Sequence, residues 1–380
     1  MSKIGIVSYY RNINYGSALQ ACAMQMSIRK LGYDCEHVRC LLGRGGQQPF
    51  LHQAKSRFRT LKNKLSWYCS KVSNPKCLIR SVRFRKFVSE NIKESQKIYL
   101  QNELAQTSNI YDAFVCGSDQ IWAPNQFNEW FYIDFISNRH KKIAYAPSIG
   151  LPNIPDALKP KMASLIRDIG YLSIREQEGA QIVYELTGID IPVVLDPTLL
   201  ISKEEWLDKI KVSKSPKEPY ILSLFLGENP QHRKAVEDLG RKKGYKIVSL
   251  PFRNLDFKWG DIIKSDAGPF EFIDLVNNAA MVFSDSFHGA AFALNLNRPF
   301  GVFMRFSIDD PICQNSRISN LLNLFSLQNR LVCDADSLDA MDLIIDYKSV
   351  NEKLDIERAK SLDYLKNALK DSLARGRSRE

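Results

Sequence analysis

The sequence predicts an α/β protein of two Rossmann-like, doubly wound domains with a central cleft between them. Short β-branched runs alternate with helical patterns along the chain, which is how parallel sheets covered by helices read in sequence. The alternation stops at Ile210–Pro219 (IKVSKSPKEP), a polar, proline-punctuated stretch with the chemistry of a linker, and then starts again. The 380 residues, at roughly 150 per domain, suit two such units. With 44% hydrophobic and 25% charged residues the chain is a packed globule, which excludes disorder and a disulfide-stapled miniprotein.

The first domain is expected over residues 1–205. Lys3–Tyr9 reads as a strand, Ser17–Leu31 as a helix stopped by Gly32 in the left-handed position, and Cys35–Arg39 as the next strand, a βαβ opening. A basic insertion, read as helical, occupies about 44–100. Strands follow at Asp112–Cys116, Lys142–Ala146, Tyr171–Ile174 and Ile191–Leu195, with helices at Ala157–Ile169 and Glu176–Leu186. The second domain, 206–345, repeats the pattern. Its strands are Tyr220–Leu226, Lys246–Leu250, Met281–Ser284 and Phe300–Met304, and its helices Gln231–Lys243, Phe270–Asn278 and Ala290–Leu296. A lone charged helix at 350–375 carries Leu354, Leu362, Leu365 and Leu369 as an apolar stripe suited to packing back on the first domain.

The net charge of +11 is concentrated: no acidic residue lies between Glu36 and Glu90, a stretch with thirteen lysines and arginines. A nucleic-acid binder would spread or repeat its charge, so this pattern implies one anionic contact surface, phosphate or acidic lipid, and no nucleic acid. Within it, Gln53–Val72 spaces Phe58, Leu61, Leu65, Tyr68 and Val72 by three and four residues, among Lys55, Arg59, Lys62 and Lys64. That is an amphipathic helix, either at an anionic membrane face or covering the first domain. The opening apolar run is too short for a secretion signal and no span reaches the ~18 apolar residues of a membrane helix, giving a cytoplasmic protein with peripheral membrane contact as an option. The eight cysteines include no Cys-x-x-Cys pair and no histidine–carboxylate set has ligand spacing, so no metal is expected.

Ligands of open α/β sheets bind just beyond the carboxyl ends of strands, and four such segments carry chemistry. In MVFSDSFHGAAFALN (281–295), Ser286 is placed to cap a helix with His288 in its first turn, where free N–H groups favour an anion, and Gly289 leaves room for a ligand. A capped helix with an incidental histidine fits the same residues. In DAFVCGSDQIW (112–122) a strand breaks into Gly117, Ser118 and Asp119; the aspartate can accept a proton or hold a sugar hydroxyl, or simply form an Asx turn. After the first strand, Asn14, Tyr15 and Gly16 line a pocket or precede a helix capped by Ser17, without the spacing of a dinucleotide fold or P-loop. In LSIRE (172–176), Arg175 is either a bidentate anion clamp or the partner of Glu176 or Glu178 in a surface ion pair.

Together these segments resemble the polysaccharide pyruvyl transferase family. The resemblance is carried in order by KIGIVSYYRNINYGSALQA, YDAFVCGSDQIW, KKIAYAPSIG, YLSIREQEGA, VVLDPTLL, FSDSFHGAAFALNLNRPF and NSRISNLLNL, spanning about residues 3–325. It implies a GT-B-like fold and transfer of the pyruvyl skeleton of phosphoenolpyruvate to a sugar as a ketal, with no cofactor. Some members have arginine two residues before the histidine, where this chain has Ser286, so the missing cation is sought in Arg298, Arg305 or Arg317, with Arg317 preferred for its matched segment. Ala123 stands where many relatives have asparagine. The implied roles are Arg175, Ser286, Gly289 and Arg317 on the donor, His288 with Asp119 or Asp285 as acid and base, and Asn14, Tyr15, Gly16 and Ser118 on a glycan acceptor, polyprenyl-linked or free. A GT-B glycosyltransferase using a nucleotide sugar is the alternative, since the architecture is shared.

Overall fold

The computed structural model describes residues 2–41, 75–307, 310, 313–333, 338 and 341–376. The amphipathic helix expected at Gln53–Val72 lies outside them.

Twelve described strands form two parallel sheets. The first holds β1 (Lys3–Val7), β2 (Asp34–Leu41), β3 (Glu94–Leu100), β4 (Ala113–Cys116), β5 (Lys142–Ala144) and β6 (Tyr171–Leu172). The second holds β7 (Tyr220–Leu224), β8 (Lys246–Ser249), β9 (Ile262–Ile263), β10 (Met281–Ser284), β11 (Phe300–Phe303) and β12 (Leu331–Val332). Their orders, β3-β2-β1-β4-β5-β6 and β9-β8-β7-β10-β11-β12, are the same doubly wound order. The direction of winding therefore reverses between β1 and β4 and between β7 and β10, which pair with Val7 opposite Cys116 and Ser284 opposite Leu224. These central strands read as apolar runs because both faces are covered: every residue of β4, β7 and β10 is buried.

Three expectations change. The insertion at 44–100 is not helical throughout, since after the helix Lys76–Asn91 the chain forms β3, which pairs with β2. Its sequence, ESQKIYL, belongs to an edge strand that opens on the four polar residues Glu94–Lys97 and leaves Ile98 and Leu100 exposed, so no buried apolar run marks it. Ile191–Leu195 is not a ladder strand; only Val193 bridges Ile174, and Pro192 has no N–H to donate. Finally, the first helix, Tyr15–Lys30, begins earlier than Ser17, because the Asn14 side chain accepts the Ser17 N–H and caps it. Gly32 does adopt the left-handed turn beyond it, at φ +89°.

The domains share one apolar cluster, which includes Ile4 and Ile6 of the first sheet and Val282 and Val302 of the second. At the seam Tyr15 stacks on Phe272 with centroids 4.9 Å apart, and Trp206 packs on Phe292 at 5.5 Å. The helix Tyr347–Gly376 returns to the first sheet. Ser361 Oγ accepts the Leu195 N–H at 3.0 Å, Tyr364 donates to the Ala144 carbonyl at 3.3 Å, and Leu354, Leu365 and Leu369 are buried beneath it. No described helix is long and apolar enough to cross a membrane.

Candidate functional site

The floor of the cleft is laced together from the loops beyond β4, β5 and β6. Asp119 sits at φ +66°, a left-handed conformation unusual for a residue with a side chain and concentrated at functional sites. Its carbonyl accepts the Ser148 N–H at 2.8 Å, and its Oδ2 accepts the Ser17 hydroxyl at 2.8 Å. Ser118, expected on the acceptor, is fully buried: its N–H donates to Gln20 Oε1 at 3.0 Å and its hydroxyl to the Ala146 carbonyl at 2.6 Å. It braces the loop.

Arg175 rises from this floor and is buried, so the surface ion-pair reading does not hold. Its Nη1 donates to Asp196 Oδ2 at 2.7 Å, Nη2 lies 3.8 Å from Asp119 Oδ1, and Nε lies 3.8 Å from Glu176 Oε2. The guanidinium also lies over the Phe287 ring of the second domain at 4.5 Å. Burial alone would lower its pKa, but Asp196, Asp119 and Glu176 outweigh that and raise it.

Asp196 is the central residue that sequence reasoning missed. It caps the short helix Pro197–Leu200, with Oδ1 accepting Thr198 N at 3.0 Å and Thr198 Oγ1 at 2.8 Å. Oδ2 takes Arg175, stands 3.2 Å from Ser118 Oγ, and faces His288 Nε2 at 3.7 Å. Burial would raise its pKa, yet His288 and Arg175 hold it well below the carboxylate range. In sequence the signal was Asp-Pro after an apolar run, the mark of a cap with proline in the first turn, where a strand end was expected.

The second domain lowers its groups onto this floor. His288 opens the helix Phe287–Asn295, yet it is buried and not set in an exposed first turn, because its ring packs against Gly16. A Cβ added to Gly16 would come 2.0 Å from His288 Nδ1, so this glycine gives the imidazole its place. Ser286 holds the N-cap position but makes no capping bond, so its side chain is left on the cleft wall. Gly289 serves packing and leaves no space for a ligand, since a Cβ there would meet Ser284 Oγ at 2.4 Å. Asp285 is tethered: Oδ1 accepts the Leu226 N–H at 2.6 Å and Oδ2 the Gly227 N–H at 2.7 Å, with Arg305 Nε 3.7 Å away. Both oxygens are engaged. Arg317 is buried; burial, then the Arg175 charge, bring its pKa down to about 9.

Burial would also raise the Asp119 pKa, but His288, Arg175, Ser17 and Arg317 lower it, which keeps it a carboxylate. A narrow cleft opens beside His288, and Asn14, Gly16, Arg80, Phe252 and Ser286 are among its walls. Tyr15 reaches it only from below, since its ring is buried and its hydroxyl donates to the Ala267 carbonyl at 3.0 Å. Thus His288, Arg175, Asp119 and Arg317 converge, Asn14, Tyr15, Gly16 and Ser286 border the cleft, and Ser118, Gly289 and Asp285 support it. Among the described residues no group of three or more histidine, cysteine, aspartate or glutamate side chains is placed to hold a metal.

The model of the polysaccharide pyruvyl transferase family matches residues 14–305. No curated protein matches the sequence. In structure the chain is similar to the UDP-GlcNAc 2-epimerase of Neisseria meningitidis bound to UDP-GlcNAc, with a TM-score of 0.54 and 10% identity over 99% of this chain and 100% of that one. It is also similar to the UDP-GlcNAc 2-epimerase of Methanocaldococcus jannaschii, with a TM-score of 0.53 and 12% identity over 90% and 91%. At such identities the likeness is one of fold, the two-domain GT-B arrangement.

Proposed function

Because the chain belongs to the polysaccharide pyruvyl transferase family, we propose that it transfers the pyruvyl group of phosphoenolpyruvate to a sugar of a cell-surface polysaccharide, or of its lipid-linked precursor, as a ketal. One observation carries the reading. Arg175 Nε and Nη2, Arg305 Nε and Arg317 Nε are buried without a hydrogen-bond partner, in one electrostatically linked cluster with Asp119. Each unsatisfied buried donor costs about 1–3 kcal/mol, so a site that gathers several suits a ligand rich in acceptors. Phosphoenolpyruvate brings a carboxylate and a phosphate within one small skeleton.

The chemistry assigns work to each group. Arg175 and Arg317 clamp the donor anions, while Ser286 and the helix start at Phe287 offer further donors. His288 protonates the methylene carbon, which leaves an oxocarbenium-like centre beside the fixed carboxylates. One sugar hydroxyl adds there and phosphate departs with its bridging oxygen; a second hydroxyl closes the ketal. Of the two hydroxyl protons, one balances the new methyl group and the other leaves with phosphate, relayed by Asp119. No cofactor enters. The test is phosphate release that requires both phosphoenolpyruvate and a candidate lipid-linked glycan, with mass spectrometry of the glycan. Nucleotide release from a sugar nucleotide would replace this reading with glycosyl transfer.

Arg175→Lys keeps the charge but loses the two-pronged geometry. A charged hydrogen bond is worth about 1.5–3 kcal/mol, so the KM for phosphoenolpyruvate should rise by ~10- to 100-fold. An unchanged KM, or unchanged affinity for a non-reactive donor analogue by isothermal titration, would remove Arg175 from the donor site.

A lipid-linked acceptor places the enzyme at the cytoplasmic leaflet. In support, the helix Lys76–Asn91 buries Arg80, Phe84 and Phe87 and turns Leu78, Ile79 and Val82 outward together with Arg85 and Lys86. Wild type should co-sediment with anionic but not neutral vesicles, less so at high salt. Changing Lys55, Arg57, Arg59, Lys62 and Lys64 to glutamine should weaken that binding. Equal, minimal pelleting of wild type and variant with anionic vesicles would remove the membrane from the reading.

A further inference from the structure

We propose that Asp196, buried in the first domain beneath His288, decides which nitrogen of His288 meets the substrate. The inference rests on His288 as the proton-transfer group of the proposed reaction. The ring comes from the second domain and has two different sides. Its Nδ1 side lies against Gly16, the glycine whose Cβ would come within 2.0 Å of that nitrogen, and both residues are among the walls of the cleft. Its Nε2 side is buried, has no hydrogen-bond partner, and stands 3.7 Å from Asp196 Oδ2.

Asp196 belongs to the first domain and is immobilised. Thr198 holds Oδ1 through its backbone N–H and its hydroxyl, and Arg175 holds Oδ2 at 2.7 Å. An ionised carboxylate only accepts, so the imidazole nitrogen facing it carries the hydrogen. The present 3.7 Å is an electrostatic contact, and less than an ångström of closure makes it a hydrogen bond. With Nε2 so committed, Nδ1 is the nitrogen left to exchange a proton with the substrate. Asp196 is thus a positioning residue acting through His288. The pair is contributed by both domains, so its geometry depends on how they pack on one another.

Asp196→Asn removes the charge at nearly constant volume. In protein labelled with ¹⁵N-histidine, and with the His288 signals identified by their loss in His288→Ala, wild type should show the tautomer protonated at Nε2, and Asp196→Asn should lose that preference. Turnover should fall by about 10²–10⁴-fold, the range for a mis-set catalytic histidine, with a smaller change in KM for phosphoenolpyruvate because Asp119 and Glu176 still flank Arg175. An unchanged tautomer overturns the proposal even if turnover falls, since the carboxylate would then act through Arg175 alone. So does a kcat within threefold of wild type. Should Asp196→Asn fail to fold, Thr198→Val loosens the same carboxylate without touching its charge. A several-fold loss of kcat with a mixed tautomer is expected, and no change in either measurement overturns the proposal. The resonance experiment needs no donor, so a wild type that ignores phosphoenolpyruvate yet shows the expected tautomers would overturn the donor reading and leave this one standing.

Discussion

His288→Ala is expected to lower kcat by about 10²–10⁴-fold in the phosphoenolpyruvate-dependent assay, with the fold retained. The residue is the proposed proton-transfer group, and its Nε2 faces the Asp196 carboxylate. Because the ring is buried between Gly16 and Asp196, alanine leaves a gap on the seam, so the melting temperature should drop by a few degrees. His288→Gln, which fills more of that gap, separates the effects: stability should recover and turnover should not. A folded His288→Ala enzyme with near-wild-type kcat would mean that the histidine only packs the interface.

Gly16→Ala should be almost as damaging although it adds a single methyl group and removes no reacting one. That methyl would overlap His288 Nδ1, with the nearest ring carbon 2.3 Å away, so the imidazole or the start of the helix Tyr15–Lys30 must shift. A displacement of about 1 Å of a catalytic group costs on the order of 10²-fold in rate. The effect should also depend on the histidine: in a His288→Ala background the space is free, and Gly16→Ala should then change little. Kinetics of the two single variants and the double variant measure this coupling directly. If the losses multiply, Gly16 acts on something other than His288.

The fold was legible where both faces of a strand are covered, as in Met281–Ser284, whose apolar run coincides with β10. It was illegible at β3, where the polar start of an edge strand, Glu94–Lys97, hides the ladder. For the site, a strand-end histidine, arginine and aspartate can be picked from sequence because the carboxyl ends of parallel strands converge. What sequence does not carry is who meets whom. Asp285 read as a base, since nothing local reveals that the Leu226 and Gly227 N–H groups, arriving beyond the neighbouring strand, occupy both its oxygens. Gly289 read as space and is filled by Ser284, while Gly16 read as pocket lining and is the seat of a residue 272 positions further on. Asp196 was hidden by its own cap, a local role that explains it fully until Arg175 and His288 are seen around it.

The return of the helix Tyr347–Gly376 to the first sheet fixes an order of events during synthesis. On the ribosome the strands β1 to β6 emerge first, but the apolar surface that Leu354, Leu365 and Leu369 cover stays bare until almost the last described residue has been made. The nascent first half waits through the translation of the whole second half, at ~5–20 residues per second, with that surface open. Ribosome stalling before residue 347 should therefore leave a chain that is protease-sensitive and drawn to chaperones, although every strand of the first sheet has already been translated.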